Sequence, residues 1–269
     1  MSAELRVGTQ GWNYPAWAGP FYPSDARPAD FLSLYSRVLN TVEVDSTFYA
    51  VPDEKVVKGW AGRVGDDFRF ALKMPQEITH ERALAGARDV LEQFCDRIRL
   101  LGARLGPVLI QLGPDFGPEQ RPALERFLPQ LPADVRFAIE FRRRGWLLRP
   151  VLELLHAHRV ALALVEGRWL PRAKMLRLAE FPTTDFGYVR FMGPDRAITD
   201  YSRVQVDRGT ELLDWARALE MFARRVKVIY VYANNHFEGH SPATVRKIQE
   251  LLGMKAMELS ALRDQAELF

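Results

Sequence analysis

Residues 41–45 of the chain read Thr-Val-Glu-Val-Asp, a short run in which β-branched and polar residues alternate. Such alternation over a few residues indicates a β-strand. Seven further β-rich apolar runs recur along the chain, and their starts are about 25 to 40 residues apart. The eight predicted strands are Leu5–Thr9, Thr41–Asp45, Phe68–Lys73, Gly106–Leu112, Arg136–Glu140, Val160–Val165, Tyr188–Met192 and Lys227–Tyr232.

Helical patterns occupy the intervals between these strands. The predicted helices are Pro28–Leu39, Glu54–Arg63, Leu84–Ala103, Pro118–Leu128, Leu147–Ala157, Thr210–Arg224 and Ala243–Leu252, with a short helix within residues 172–180 in the sixth unit. Strands that alternate with helices indicate parallel pairing through right-handed crossovers.

The length of the chain fits this alternation. The 269 residues are close to the roughly 250 of an eight-fold α/β barrel. We therefore predict an α/β fold, a (β/α)8 TIM barrel that forms a single domain over residues 1–269. An extra amphipathic C-terminal helix over Met254–Phe269 would pack on the outside. The rival is an open doubly wound sheet, which usually needs fewer strands, and no GxGxxG motif follows the first strand.

Composition narrows the class of protein. The net charge is +3, a mild excess that does not indicate a dedicated nucleic-acid binder. The sequence has no apolar run near the ~20 residues of a membrane helix and no signal-peptide pattern, so we expect a cytoplasmic protein without membrane attachment. Cys95 is the single cysteine, which excludes an internal disulfide and a cysteine-based zinc cluster, and we expect it to be a small buried hydrophobe.

Polar side chains concentrate where the predicted strands end. In a TIM barrel this is the catalytic mouth. Ionisable residues at these ends are Glu43, Asp45, Lys73, Glu140, Arg142 and Arg190, and the uncharged ones are Gln10, Trp12, Gln111, Asn234 and Asn235. Charged side chains seldom point into the interior of a protein unless they form ion pairs or take part in function. The group therefore indicates either an active site or a barrel-closing salt-bridge network.

The loop after the first strand is rich in aromatic residues. Residues 11–23 contain Trp12, Tyr14, Trp17, Phe21 and Tyr22. These rings could stack on a flat ligand or form a small satellite core over the barrel, and the two readings are compatible. Tyr49, after the second strand, could join the same wall.

Two histidines follow strand ends and could reach the mouth, His80 after the third strand and His236 after the eighth. A metal site needs two or three ligands together, and no HxH or HExxH spacing is present, so we predict no metal site. His156 and His158 precede the sixth strand and are expected at the opposite face.

The chain resembles the YecE-like family, which is the domain of unknown function 72, over roughly residues 5–252. The resemblance rests on an ordered series of segments, which are Gly11-Trp12 with Tyr14 and Trp17, Phe21-Tyr22-Pro23, Val42-Glu43 with Ser46-Thr47-Phe48-Tyr49, Phe70–Lys73 with Ile78-Thr79-His80, Leu105-Gly106-Pro107 to Gln111-Leu112, Ala138-Ile139-Glu140-Phe141-Arg142 with Trp146, Tyr188-Val189-Arg190, and Tyr230 to Asn234-Asn235. It implies a TIM barrel and no particular reaction. The chain departs from the family pattern at Met192, where a histidine is usual, and at His236, where an acidic residue is common.

These observations favour an enzyme that acts on a small anionic or polar substrate at the C-terminal mouth, with hydrolysis of a phosphoryl or glycosyl bond as the leading reaction. Candidate catalytic residues are Glu43, Glu140 and Lys73, with the carboxylates as general acid or base and Lys73 also holding negative charge. Candidate substrate-binding residues are Gln10, Trp12, Tyr14, Asp45, Tyr49, His80, Gln111, Arg142, Arg190, Asn234, Asn235 and His236. The alternative is a nucleic-acid-binding or adaptor protein without catalysis, motivated by the arginine-rich surface and the aromatic loop. The pattern indicates no specific cofactor and no particular oligomeric state.

Overall fold

Eight parallel strands pair in sequence order and close into a barrel, because β1 also pairs with β8. The structure, a computed structural model, describes residues 3–262. The strands are β1 Glu4–Gln10, β2 Thr41–Val44, β3 Arg69–Lys73, β4 Leu105–Gln111, β5 Phe137–Glu140, β6 Val160–Gly167, β7 Phe186–Gly193 and β8 Val228–Ala233. The predicted TIM barrel is confirmed.

Amphipathic helices surround the barrel and bury their apolar faces against it. They are α1 Phe31–Val38, α2 Glu54–Ala61, α3 Arg88–Ile98, α4 Arg121–Phe127, α5 Arg149–Ala157, α6 Arg172–Leu178, α7 Gly209–Ala223, the single turn α8 Asn235–Glu238, and α9 Ser241–Leu251. Within residues 3–262, no helix combines the length and the apolar character that crossing a bilayer requires.

The interior of the barrel is filled below the mouth by side chains of contrasting size. Alanines on β3, β5 and β6 pack with large aromatic residues on β7 and β8, as the taper of a small barrel requires. This interior cluster contains Ala71, Leu109, Ala138, Ala161, Ala163, Val165, Phe186, Tyr188, Val228, Tyr230 and Tyr232. The packed layer forms a floor, so a ligand could enter only from the C-terminal ends of the strands.

Two predicted helices begin later than their sequence pattern indicates. The helix expected from Leu84 begins at Arg88, because a π-helical turn over Glu77–Glu81 is followed by positive φ angles at Ala83 and Leu84. The helix expected from Pro28 begins at Phe31, after a turn.

The predicted C-terminal helix over Met254–Phe269 is wrong for its first part. Gly253 has a φ of 63°, which prevents the chain from continuing as a helix after α9. Residues 254–258 then have no regular structure, and Leu259–Leu262 forms one 3₁₀ turn with Leu262 buried against the barrel layer. Buried Met257 fixes this non-helical path, since its backbone N–H donates to the Gln249 side chain at 3.0 Å. Residues 263–269 of that prediction lie outside the described residues.

Candidate functional site

A cavity of about 550 Å³ opens at the C-terminal ends of the strands. It brings together eleven of the fifteen residues that the sequence predicts for the site. They are Gln10, Tyr14, Asp45, Tyr49, Lys73, Gln111, Glu140, Arg142, Arg190, Asn234 and His236. Glu43, Trp12, His80 and Asn235 do not line the cavity.

Arg190 of β7 lies at the centre of the site and makes ion pairs with two carboxylates. Its Nε and Nη2 donate to the two oxygens of Glu43 at 2.8 and 2.7 Å, and its Nη1 donates to Glu140 Oε2. The side chains of Arg190 and Glu43 have no exposed surface. The carboxylates raise the pKa of Arg190 above its usual value, even though burial alone would lower it.

Neutral donors complete the coordination of both carboxylates. The hydroxyl of Tyr188 donates to Glu43 Oε2 at 2.7 Å, and Gln111 Nε2 donates to Glu140 Oε1 at 2.9 Å. Burial alone would raise the pKa of Glu140, but the charges of Arg190 and Arg142 bring it below its usual value. Both glutamates therefore form hydrogen-bonded supports of Arg190.

Lys73, at the end of β3, is a buried amine without a paired carboxylate. The side chain is 8% exposed, and its Nζ lies 4.1 Å from the centre of the Phe48 ring. Its Nζ makes no hydrogen bond or ion pair to any residue of the described chain. Burial first, and then the charge of Arg190, lower the pKa of Lys73 to about 8, against the opposing influence of Glu43, Glu140 and Asp45.

Asp45 follows β2 and presents a carboxyl group to the same cavity. No side chain among residues 3–262 donates a hydrogen bond to it. Burial raises its pKa, and the nearby charge of Glu43 raises it further, while Lys73 and Arg190 act in the opposite direction. A carboxyl group with a raised pKa next to an amine with a lowered pKa is suited to proton transfer.

Arg142 carries a further positive charge of the cavity and forms only a long ion pair with Glu140. Its Nε lies 3.5 Å from Glu140 Oε1 without making a hydrogen bond. The guanidinium lies 5.5 Å from the ring of Trp169, and the side chain is 19% exposed. An arginine held in this way can donate to an anionic ligand group.

The rim of the cavity contains residues that the sequence analysis missed. They are Val165, Gly167, Arg168, Trp169, Met192, Gly193, Pro194, Asp195 and Arg196. Of these, Arg168 stacks over Trp169 at 4.2 Å. The signal is present in the sequence, since Arg168-Trp169 directly follows β6, but the predicted strand ends at Val165.

The four predicted residues that do not line the cavity have other contacts. Glu43 lies behind Arg190, and Trp12 packs edge-on against Trp60 and Phe70 with ring centres 6.0 and 6.4 Å away. His80 packs against Phe48 at 5.1 Å and shares a hydrogen bond with Thr79. Asn235 accepts from the backbone N–H and the hydroxyl of Ser241, both at 2.9 Å, and thereby holds the start of α9.

The remaining wall of the cavity is uncharged. Asn234 donates to the side chain of Gln10, and its own oxygen accepts from the backbone N–H of His236 at 2.8 Å, which caps the short helix α8. The Nε2 of His236 lies 3.3 Å from the hydroxyl of Tyr201. Burial lowers the pKa of His236, and Arg196 lowers it further.

The aromatic loop after β1 is mainly structural. Trp17, Phe21 and Tyr22 are buried, and Tyr22 stacks on Phe31 with ring centres 4.3 Å apart. Tyr14 alone among the five aromatic residues of this loop lines the cavity. The loop is therefore a satellite core that contributes one side chain to the site.

Metal-ligating residues are dispersed. Among residues 3–262, no three His, Cys, Asp or Glu side chains are grouped so that they could hold a metal ion.

Comparisons with known proteins agree on one family. The family model described as "Protein of unknown function DUF72" matches residues 6–267. The YecE protein of Escherichia coli K12 is 36% identical over 138 residues, which are 51% of this chain and 48% of that protein. The YunF protein of Bacillus subtilis is 23% identical over 278 aligned positions, 93% of this chain and 95% of its own length. The chain thus spans about half the length of its E. coli relatives.

Solved structures show the same fold. A DUF72 family protein from Thermotoga maritima has a TM-score of 0.78 at 26% identity, with coverage of 93% of this chain and 99% of that one. A D-allulose 3-epimerase from Methylomonas sp. has a TM-score of 0.52 at 13% identity, with coverage of 99% of this chain and 97% of that one. This similarity shows only that the two proteins share the barrel fold.

Proposed function

Because this chain belongs to the DUF72 family, described as proteins of unknown function, we propose its activity from the geometry of its own site. We propose an enzyme that binds a small anionic substrate at the barrel mouth and hydrolyses a phosphoryl or glycosyl bond in it. The observation that carries this proposal is the presence, in one cavity with Asp45, of two cations, Lys73 and Arg142, whose side chains donate no hydrogen bond within residues 3–262.

The charges of the cavity favour an anionic ligand. Its lining includes five basic side chains, those of Lys73, Arg142, Arg168, Arg190 and Arg196, and three acidic ones. Both glutamates of the inner site are already occupied by Arg190. Lys73 and Arg142 therefore remain to neutralise a bound phosphate or carboxylate.

The proposed chemistry assigns the proton transfer to Asp45. Its raised pKa favours the protonated form that could donate to the leaving-group oxygen, while Lys73 and Arg142 stabilise the charge that develops on the substrate. Glycosidases use two carboxyl groups that flank the bond, and here both oxygens of Glu43 and of Glu140 accept hydrogen bonds. Phosphoryl hydrolysis is the better supported of the two reactions.

The proposal is tested by ligand binding and by turnover. A thermal-shift panel of phosphate monoesters would be run on the wild type, Arg142→Ala and Arg144→Ala, where Arg144 is an exposed residue outside the cavity. A ligand at 100 times its Kd stabilises the protein by roughly 2.7 kcal/mol. We expect a shift that Arg142→Ala loses and Arg144→Ala keeps, together with release of p-nitrophenol from p-nitrophenyl phosphate. An equal shift in all three proteins, or none, contradicts the proposal.

Binding of nucleic acid without catalysis is a second candidate. It is favoured by the exposed rim of the cavity, where Tyr49 is 73% exposed and lies in the same lining as the exposed Arg168 and Arg196. Phosphate contacts would make oligonucleotide affinity fall steeply with salt concentration. An affinity that does not change with salt would eliminate this candidate.

A cytoplasmic location is part of the proposal. It is supported by the single cysteine, Cys95, which is a buried free thiol. Burial raises the pKa of this thiol to about 12 and keeps it unreactive. Cell fractionation with an antibody to the protein would test the location, and recovery outside the cytoplasmic fraction would contradict it.

A further inference from the structure

Lys73 differs from the other lysines of the chain in its surroundings. Buried lysines are normally paired with a carboxylate, because an isolated charge is costly to bury. The Nζ of Lys73 instead lies against the face of Phe48 at 4.1 Å and is open to the cavity. The other six lysines are at least partly exposed.

The lack of a partner follows from the arrangement around Arg190. Three carboxylates lie near enough to Lys73 to interact with its charge. Arg190 occupies those of Glu43 and Glu140, and that of Asp45 forms no ion pair with the amine. The guanidinium itself adds a repulsive positive charge. These contacts disfavour the protonated amine, and its pKa falls to about 8. Burial in an apolar pocket or proximity to another cation is how proteins activate lysine as a nucleophile.

We propose that Lys73 is a covalent nucleophile, which forms an imine with the carbonyl carbon of a small anionic aldehyde or ketone in this cavity. The guanidinium of Arg142, which donates no hydrogen bond within the described chain, holds the anionic group of that compound. The carboxyl group of Asp45 transfers the protons. This activity goes beyond the hydrolysis proposed above and uses the same cavity.

The proposed reaction is balanced by the groups in the site. The neutral amine of Lys73 attacks the carbonyl carbon, and the π electrons of the C=O bond move to its oxygen. Asp45 carries a proton from the nitrogen to that oxygen, which gives a carbinolamine. Protonation of the hydroxyl by Asp45 then expels one water molecule as the nitrogen lone pair forms the protonated imine. No oxidant or reductant is consumed.

The test is reductive trapping on the full chain. The protein would be incubated near neutral pH with glyoxylate and sodium cyanoborohydride, which reduces an imine to a stable secondary amine. Peptide mass spectrometry then measures the carboxymethyl group at each of the seven lysines. An amine with the ordinary lysine pKa of about 10.4 is almost fully protonated near neutral pH and reacts slowly. We expect Lys73 to be labelled at least about tenfold faster than Lys55, and equal or slower labelling overturns the proposal.

The contribution of Arg142 is tested with a neutral aldehyde. A charge-assisted hydrogen bond is worth about 1.5 to 3 kcal/mol, so Arg142→Met should slow glyoxylate labelling of Lys73 by about ten- to a hundredfold. Propionaldehyde labelling should change little, and Arg144→Met should affect neither probe. Equal slowing of labelling by both probes would show that Arg142 does not recognise the anionic group. It would overturn the assignment of anion binding to Arg142.

The outcomes separate this inference from the proposed hydrolysis. Labelling of Lys73 without hydrolysis of phosphate esters supports the imine and contradicts the hydrolase. Phosphate esters that bind and are hydrolysed, with no preferential labelling of Lys73, support the hydrolase and overturn the imine. Lys73→Arg keeps the positive charge and cannot be labelled at this position. Its circular dichroism spectrum shows whether the fold of this variant is intact.

Discussion

Arg190 of β7 and Glu43 of β2 form a two-point ion pair inside the mouth of the barrel, and neither side chain is exposed. Glu140 of β5 binds the third nitrogen of the same guanidinium. The pair therefore connects strands that are not neighbours in the barrel. Arg190 also determines which groups remain available in the cavity, because it occupies two of the three carboxylates that interact with the charge of Lys73.

Arg190→Met should destabilise the protein strongly. The substitution leaves two buried carboxylates without their cation, and loss of one member of a buried ion pair costs about 3–5 kcal/mol. Urea unfolding followed by circular dichroism would measure the change in the free energy of unfolding. The exposed pair Glu54–Lys58 is the matched control, and Glu54→Gln should leave the free energy of unfolding nearly unchanged. Similar costs for the two variants would contradict the central role of Arg190.

A double variant distinguishes charge from packing in this cluster. Arg190→Met with Glu43→Gln removes one buried charge of each sign. We expect it to be more stable than Arg190→Met alone, because one uncompensated carboxylate is removed. If the second substitution adds a further loss, the packing of the arginine and not its charge controls the stability.

Lys73 should make the stability of the protein depend on pH in the alkaline range. Its pKa is about 8 in the folded protein and about 10.4 in an unfolded chain. Between these values the unfolded state binds more protons, so the free energy of unfolding rises with pH. Relative to Lys73→Met, the wild type should gain up to about 3 kcal/mol between pH 7 and pH 10.5.

The measurement is urea unfolding of both proteins across this pH range. Comparison with Lys73→Met cancels the titration of the other groups. Lys55→Met, at an exposed lysine, should differ from the wild type by an amount that does not change with pH. A wild type that loses stability relative to Lys73→Met as the pH rises would contradict the lowered pKa.

Much of the site could be predicted from strand ends and side-chain alternation. Because alternate residues of a strand face the barrel interior, Glu140 and Arg142 were expected at the same mouth as Lys73, and all three line the cavity. The same reasoning failed at β6. The strand continues to Gly167, two residues beyond its predicted end, so the following Trp169 was missed.

Other features depend on contacts that periodicity does not reveal. Asn234 and Asn235 are adjacent, but Asn235 begins a helical turn that directs its side chain to Ser241 and away from the cavity. The sequence placed Glu43 at the mouth and could not show that Arg190 would cover it. Nor could it distinguish a ligand-stacking role from a packing role for Trp17.

Asp45→Asn should reduce turnover and leave substrate affinity nearly unchanged. Loss of general acid catalysis typically costs a factor of about 10² to 10⁴ in rate. We expect kcat for an alkyl phosphate monoester, whose alkoxide leaving group needs the proton, to fall in that range with KM within a few-fold of the wild type. The exposed Asp53, which makes no capping hydrogen bond through its side chain, provides the control Asp53→Asn. A large rise in KM without a fall in kcat would assign Asp45 to binding.

The pH profile provides a second measure of Asp45. Because burial and Glu43 raise its pKa, the fall in kcat caused by its deprotonation should occur above the usual range of an aspartate. Glu43→Gln removes the nearby negative charge and should move this fall in kcat to lower pH. A shift of this fall to higher pH would contradict its assignment to the deprotonation of Asp45.

Trp169→Ala should weaken substrate binding through Arg142. The ring of Trp169 lies 5.5 Å from the guanidinium of Arg142 and 4.2 Å from that of Arg168, so it contacts Arg142 on the side of the rim. Cation–π contacts are worth about 0.5 to 2 kcal/mol, and the predicted rise in KM is therefore about two- to thirtyfold, with little change in kcat. Trp169→Phe retains an aromatic face and should recover most of the affinity. Arg168→Met distinguishes the contribution of Arg168 from that of Arg142, because it removes the contact between Arg168 and Trp169 and leaves Arg142 in place. If Arg168→Met raises KM as much as Trp169→Ala does, the ring acts through the outer arginine, and Arg142 does not depend on it for its position.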